Sequence, residues 1–426
     1  MINRILNMYD RPVSFRTVLL FVVCIALTGT AYGESGQMRE YLESILYTPQ
    51  EVEEWISGKV LPYGKTYDSL VGYVHSDGKY RDGIDGSIVT YSHPGPRRMM
   101  LYADKPCRIN TYGNSFTHCD QVNDGETWQE VLAAHLCEPV RNFGVSGISV
   151  YQAFLRMKKE ETRTPANYII LNIFDDDHYR NLISWRNIDA GEVLGARSGV
   201  TYPTVPYVKV NPSTGEYMEY ANPCPSRESV FQLCDANWVY ETFKDDFVLK
   251  VVLARKNIRQ NTPEKSYVEI MDLAHQHGME VHIDSPEMLS QTVESLYTRA
   301  GLFATTRIVE KMEEFAAAHH KKILYVLSFG TGNVAKVMRG QRRFDYQFVE
   351  FLRERKLPYV DLLEAHLTDF ATFNMSIEDY LARYWIGHYN PLGNFFTAFS
   401  FKDKLVEMLE PKPISYAAES SFYVDP

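Results

Sequence analysis

The sequence has no CxxC pair, no excess of positive charge, no internal repeat and a single sustained apolar run. Each absence removes a class of protein. His118-Cys119 and His275-Gln276-His277 are the nearest approach to metal-ligand spacing, and a zinc site needs three or four converging ligands, so neither metal nor cofactor is expected. Lys plus Arg number 44 against 54 Asp plus Glu, a net charge of −10. Nucleic acid and anionic membrane surfaces, which require a basic face, are therefore excluded as main partners. The apolar run, Val18 to Leu27, is about half the roughly 20 residues that a membrane-spanning helix needs. It follows Arg4, Arg11 and Arg16 and precedes the small-x-small triplet Ala31-Tyr32-Gly33, the layout of a secretory signal. The expectation is cleavage near Gly33, an exported protein (periplasmic or secreted) and no stable membrane span afterwards.

Cysteine is scarce. Cys24 lies in the signal, leaving Cys107, Cys119, Cys137, Cys224 and Cys234. An oxidising compartment permits disulfides, and Cys224–Cys234 and Cys107–Cys119 are the expected pairs, with at least one thiol left over. Aromatic residues are plentiful by contrast: 29 Tyr and 22 Phe. Tyrosine offers an apolar face plus a hydroxyl, which suits sugar-like ligands and ordinary cores alike. An apolar share of 45% and a charged share of 23% belong to a globular chain.

The pattern alternates strands and helices. Arg108–Thr111 and Arg141–Val145 read as short strands, and Tyr168–Ile173 and Ile323–Phe329 as compact apolar strands of the kind buried in a parallel sheet. Tyr359–Leu363 is a fifth. Helices are expected at Trp128–Leu136 with Thr127 as cap, at Val150–Glu161, at 306–320, around 345–355 and at 395–409. This is an α/β fold with a mostly parallel sheet covered on both faces. The organisation read from the chain is a signal peptide (1–33), an N-terminal extension packing on the core (34–104), a first half of the α/β domain (105–184), an insertion (185–300), a second half (301–410) and a tail (411–426). The extension carries the turn Asp82-Gly83-Ile84-Asp85-Gly86 and a Pro-Gly-Pro break at 94–96.

In such sheets ligands sit beyond the carboxyl ends of the strands, and three short segments fall there. Tyr112-Gly113-Asn114-Ser115-Phe116-Thr117 puts a hydroxyl after a tight glycine turn. Asn142-Phe143-Gly144-Val145-Ser146-Gly147-Ile148-Ser149 has closely spaced glycines that let backbone N–H groups approach a ligand. Asp175-Asp176-Asp177-His178-Tyr179-Arg180 gathers three carboxylates that need a counter-charge or solvent. A fourth segment, Gly387-His388-Tyr389-Asn390-Pro391-Leu392-Gly393, sets a histidine before the last helix.

Taken in order, these four segments resemble the blocks of the SGNH hydrolase family, also called GDSL esterases/lipases, of which the chain looks like a divergent, exported, bacterial-type member. The resemblance spans roughly residues 105–180 and 300–410. It implies a flavodoxin-like three-layer α/β/α fold. It also implies Ser115 as nucleophile, His388 as general base and Gly147 as an oxyanion-hole donor, with Asp176, or Asp175 if the gap shifts, at the third block's oxyanion-asparagine position. Asn114, Asp175, Asp177, Tyr389 and Asn390 are the expected substrate-binding neighbours. Three departures stand out. Asn114 replaces the family's Asp. A carboxylate at position 176 accepts hydrogen bonds and cannot donate while ionised, with Asn172 and Asn181 as possible substitutes. The acid usually found three residues before the histidine is Trp385, leaving Asp361, Asp369, Glu378, Asp379 or a backbone carbonyl to orient His388.

The function so implied is cleavage of acetyl or other short acyl esters on a small molecule or polysaccharide, with the Tyr- and Trp-rich insertion as a wall facing the sugar. A polysaccharide O-acyltransferase is a close variant. A catalytically weakened glycan-binding protein on the same scaffold is the alternative, and a metal-dependent hydrolase built on Asp175–His178 is a more distant one.

Overall fold

A computed structural model describes residues 36–57, 65–82, 87–91, 95–189 and 204–417. The expected signal peptide, the glycines of the Asp82–Gly86 turn, Pro94 and the end of the tail lie outside them.

Five parallel strands form the central sheet: β1 (Ile109–Tyr112), β2 (Arg141–Asn142), β3 (Tyr168–Phe174), β4 (Lys322–Ser328) and β5 (Tyr359–Asp361), in the spatial order β5-β4-β3-β1-β2. All four pairings are parallel. This is the flavodoxin-like order, and it reverses direction between β1 and β3. Every residue of β3 is buried, which is why its sequence is a continuous apolar run with no alternation.

Helices cover both faces. On one, α1 (Trp128–Leu136) packs against α6 (Pro391–Met408), and α5 (Leu362–Phe370) joins α6 and β4. On the other, α2 (Val150–Glu160) and α4 (Tyr346–Glu354) pack on the long α3 (Pro286–Ala318). Each start has a local cause. Thr127 and Ser149 accept N3 backbone N–H groups, and Asn390 does the same ahead of Pro391, where proline's missing donor costs nothing. The helix α3 is longer than the stretch expected at 306–320 because Ser285 caps it and Pro286 occupies its first position.

The N-terminal extension contributes a helix, Pro49–Ile56, and two antiparallel hairpins, Lys65–Asp68 with Gly72–His75 and Gly78–Asp82 with Ser87–Tyr91. Tyr73 and Val74 of the first hairpin join the common core. The insertion's hairpin, Tyr207–Asn211 with Glu216–Tyr220, packs on α2 and α3. Two of its aromatic contacts are packing contacts. Tyr207 stacks on Tyr220, and Trp185 is fully buried against Tyr47 and Phe243.

The expected disulfides do not form; the five cysteines among the described residues are free thiols. Cys107 precedes β1, with its Sγ on the Ile109 and Pro139 carbonyls, while Cys119 lies past the other end of that strand against Gln129. Cys224 is sealed in the core, whereas Cys234 is half-exposed at the end of a 3₁₀ turn.

Candidate active site

Beyond the end of β1 the chain must turn at once. Gly113 has φ +145°, and a Cβ there would stand 2.6 Å from the Asn172 carbonyl oxygen, so only glycine fits. A one-turn helix, Ser115–His118, follows. Asn114 caps it, with Oδ1 accepting from the Phe116 N–H at 2.8 Å and Nδ2 donating to Asp177 Oδ1 at 2.9 Å. This explains the departure at position 114. The side chain must accept on one side and donate to a carboxylate on the other, which an amide can do and an aspartate cannot.

The second glycine segment lies against this helix. Val145 N–H donates to the Gly113 carbonyl at 3.0 Å, and a Cβ on Gly144 would meet His118 Cα at 2.7 Å. Gly147 has φ +83° and faces the Tyr73 hydroxyl of the N-terminal hairpin. Among the described residues neither the Ser115 N–H nor the Gly147 N–H donates to another group. Ser115 itself is 8% exposed.

Beside these groups lies a buried polar cluster that the sequence did not reveal. Asp120 Oδ1 is in short contact with His118 Nδ1 and accepts from Ser146 Oγ at 2.6 Å. His75, at the end of the first hairpin, stacks on His118 with ring centroids 4.2 Å apart, and its Nε2 accepts from the Ser146 N–H at 3.3 Å. Burial pushes the Asp120 carboxyl up, but His118, then His388 and His75, outweigh it and hold the group well below the usual carboxylate range. Burial, followed by the charge of His118, holds His75 well below its ordinary value. The cluster is thus an ionised carboxylate ringed by imidazoles.

The three consecutive carboxylates separate. Asp175 is buried, with Oδ2 accepting from the Gly330 N–H at 2.9 Å and Asn333 Nδ2 at 2.7 Å; burial and then the charge of Asp176 raise it to about 6. Asp176 points to solvent, its side chain 62% exposed and paired with Arg180 at 3.4 Å. Asp177 is sealed and accepts from Asn114, from the Phe174 N–H at 3.1 Å and from Arg180 at 2.8 Å. Burial lifts it to about 7 against those donors, while Asp177 and Asp176 together keep Arg180 charged despite its own burial. Asn172 accepts from Ser328, and Asn181 accepts from the Tyr151 N–H and donates to Thr305. The Asn181 amide is thereby committed on both sides, whereas for Asn172 it is the oxygen that is engaged.

The His388 loop closes the site from the other half of the domain. The His388 and Phe116 rings lie 5.0 Å apart, and Phe116 also stacks on Phe174 and meets the edge of Tyr389. No hydrogen bond joins His388 to Ser115, a bond that often tightens only when substrate binds. His388 Nε2 stands 4.0 Å from Asp120 Oδ2. Gln121 Oε1 accepts from the His388 N–H at 2.8 Å and faces its Nδ1 at 3.3 Å. Tyr389 is buried with its hydroxyl on His366, and Asn390 caps α6 while donating to the Arg383 carbonyl. The acids considered for orienting His388 are engaged elsewhere: Asp361 by Arg343, Asp369 by Tyr380 and Tyr384, Glu378 by Arg339, and Asp379 by Ser376.

No family model and no curated protein matches the chain. Among solved structures it is similar to a candidate lipolytic protein of the G-D-S-L family from Desulfitobacterium hafniense DCB-2. The identity is 10% and the TM-score 0.29, over 69% of this chain and 97% of that one. A likeness of this size carries no functional argument, so function rests on the site itself.

Proposed function

We propose that this chain is an exported, serine-dependent ester hydrolase. Ser115 attacks the carbonyl of a short acyl ester, His388 takes the serine proton and returns it to the leaving alcohol, and water then releases the acyl group. The observation that carries the reading is the pair of uncommitted N–H groups on Ser115 and Gly147. Ser115 follows β1 and Gly147 follows β2, both past the carboxyl ends of their strands, beside the sheet's switch point, where α/β folds bind ligands. Two such donors are what a developing oxyanion requires. The near-complete cover over Ser115 and the apolar wall of Phe116, Phe174 and Tyr389 favour a small acyl group. The alcohol side, as a saccharide, rests on the family resemblance.

A binding protein for acylated glycans is the second reading. One feature favours it: Asp176, at the third segment's oxyanion position, faces solvent, and the Asn181 amide is committed to the fold. Hydrolysis of a short-chain nitrophenyl acetate by the wild type and by Ser115→Ala tests the proposal. Turnover that disappears in the variant supports it. Equal background rates in both contradict it.

A further inference from the structure

We propose that Gln121 and Asp120, consecutive in sequence, divide the two tasks that one orienting acid performs for a base histidine. Gln121 fixes the His388 tautomer and Asp120 supplies the counter-charge. The inference rests on the reading of His388 as the base.

The tautomer follows from donor bookkeeping. The backbone N–H of His388 can only donate, so the Gln121 atom 2.8 Å away is the amide oxygen and not its nitrogen. The same oxygen stands 3.3 Å from His388 Nδ1. An oxygen accepts, so Nδ1 carries the ring proton and Nε2 keeps its lone pair. That is the form able to take a proton from Ser115 Oγ as the Oγ–carbonyl bond forms and to pass it to the leaving alkoxide.

The backbone is shaped for this contact. Gln121 has φ +72°, in the left-handed region that costs a non-glycine residue about 1–2 kcal/mol. Gly387, the residue before the histidine, has φ +117°, and a Cβ there would lie 2.8 Å from Gln121 Oε1. Only glycine at 387 lets the amide approach. Arg97 holds the segment from behind, donating to the carbonyls of His118, Cys119 and Val122 at 2.7, 2.8 and 2.6 Å.

An amide brings no charge, and here Asp120 complements it. Its Oδ2 lies 4.0 Å from His388 Nε2 while its Oδ1 is held by His118 and Ser146. When His388 becomes an imidazolium, this carboxylate is the counter-charge. Of the other titratable groups, His118 is on Asp120 and stacks on His75, and Lys65 acts on His75 and stands 3.8 Å from the Cβ position of Gly147, while the Phe116 ring, 5.0 Å from His388, brings no charge. Both residues act through His388 and are positioning residues.

The test combines ¹⁵N NMR of histidine-labelled protein with the pH profile of kcat/KM on nitrophenyl acetate. In the wild type the His388 signals are expected to show Nδ1–H with an unprotonated Nε2. Gln121→Leu should mix the tautomers and lower kcat on the order of 10–100-fold with KM nearly unchanged, since tautomer control acts on the proton transfer. Gln121→Glu keeps the acceptor for the backbone and adds a charge, so the acid limb should move up by about one pH unit, and Asp120→Asn should move it down. An Nε2–H tautomer in the wild type, or a Gln121→Leu protein with unchanged tautomer and kcat, overturns the proposal. A Gln121→Glu limb that stays in place would reduce Gln121 to a tether for the loop. If the wild type hydrolyses no ester, the functional reading fails, yet the NMR titration still decides the tautomer and the effect of Asp120.

Discussion

His366 should make the fold sensitive to acid through one identifiable group. Its ring is sealed between two tyrosines, with Nδ1 and Nε2 each 3.0 Å from the hydroxyls of Tyr380 and Tyr389. Tyr380 donates its only proton to the Asp369 carboxylate at 2.9 Å or to the His366 carbonyl at 3.1 Å, so Nδ1 must be the donor to Tyr380, and Nε2 accepts from Tyr389. The pocket therefore fits a neutral imidazole, and burial lowers His366 from 6.5 to about 3. The unfolded chain binds this proton more readily than the folded one, so the contribution is complete above pH 6.5 and is lost as pH falls toward 3. At pH 5 the two values correspond to a loss of about 2 kcal/mol relative to neutral pH. Urea unfolding at pH 7.5 and pH 5.0 measures it, with His366→Phe as the non-titrating control. The fall in stability between the two pH values should be about 2 kcal/mol smaller in the variant, whatever the variant's absolute stability. Parallel behaviour of the two proteins would refute the assignment.

Three further expectations follow from particular contacts. Arg97→Met leaves Asp124 and three carbonyls without their buried donor, and should cost about 3–5 kcal/mol in urea unfolding; a cost below about 1 kcal/mol would mean that water replaces the guanidinium. Asp176→Asn removes an exposed pair with Arg180 and should change stability by no more than about 0.5 kcal/mol, while a larger change by calorimetry would give Asp176 a structural role. In protein lacking residues 1–33, the five remaining cysteines should titrate as five thiols in urea without reductant, and fewer would reveal a disulfide. In the native protein Cys119 and Cys224, pushed by burial up to about 12 and about 11, should react slowest.

The sheet was legible in the sequence where burial on both faces leaves a plain signature. Tyr168–Phe174 and Lys322–Ser328 are apolar runs of strand length, and the helix Trp128–Leu136 announces itself by its cap and spacing. Helix starts were less legible. The helices expected at 306–320 and 395–409 start earlier, at Pro286 and Pro391, each after a capping side chain. At the site, Ser115, Gly147 and His388 were singled out by the resemblance of their glycine-containing segments to the family's blocks. Asp120, Gln121 and His75 could not be, since their roles depend on which distant loop meets them: Gln121 works on a residue 267 positions away and His75 on one 71 positions away. The insertion's aromatics could not be sorted in advance, since composition does not tell a ligand wall from a core.

The most direct test of the central claim is covalent labelling of the purified protein with a serine-directed phosphonate, with the modified residue located by peptide mass spectrometry. The account predicts a single adduct on Ser115, formed rapidly by the wild type and far more slowly by His388→Ala. An unlabelled Ser115, an adduct on another serine such as Ser146, or equal labelling of the two proteins would contradict it.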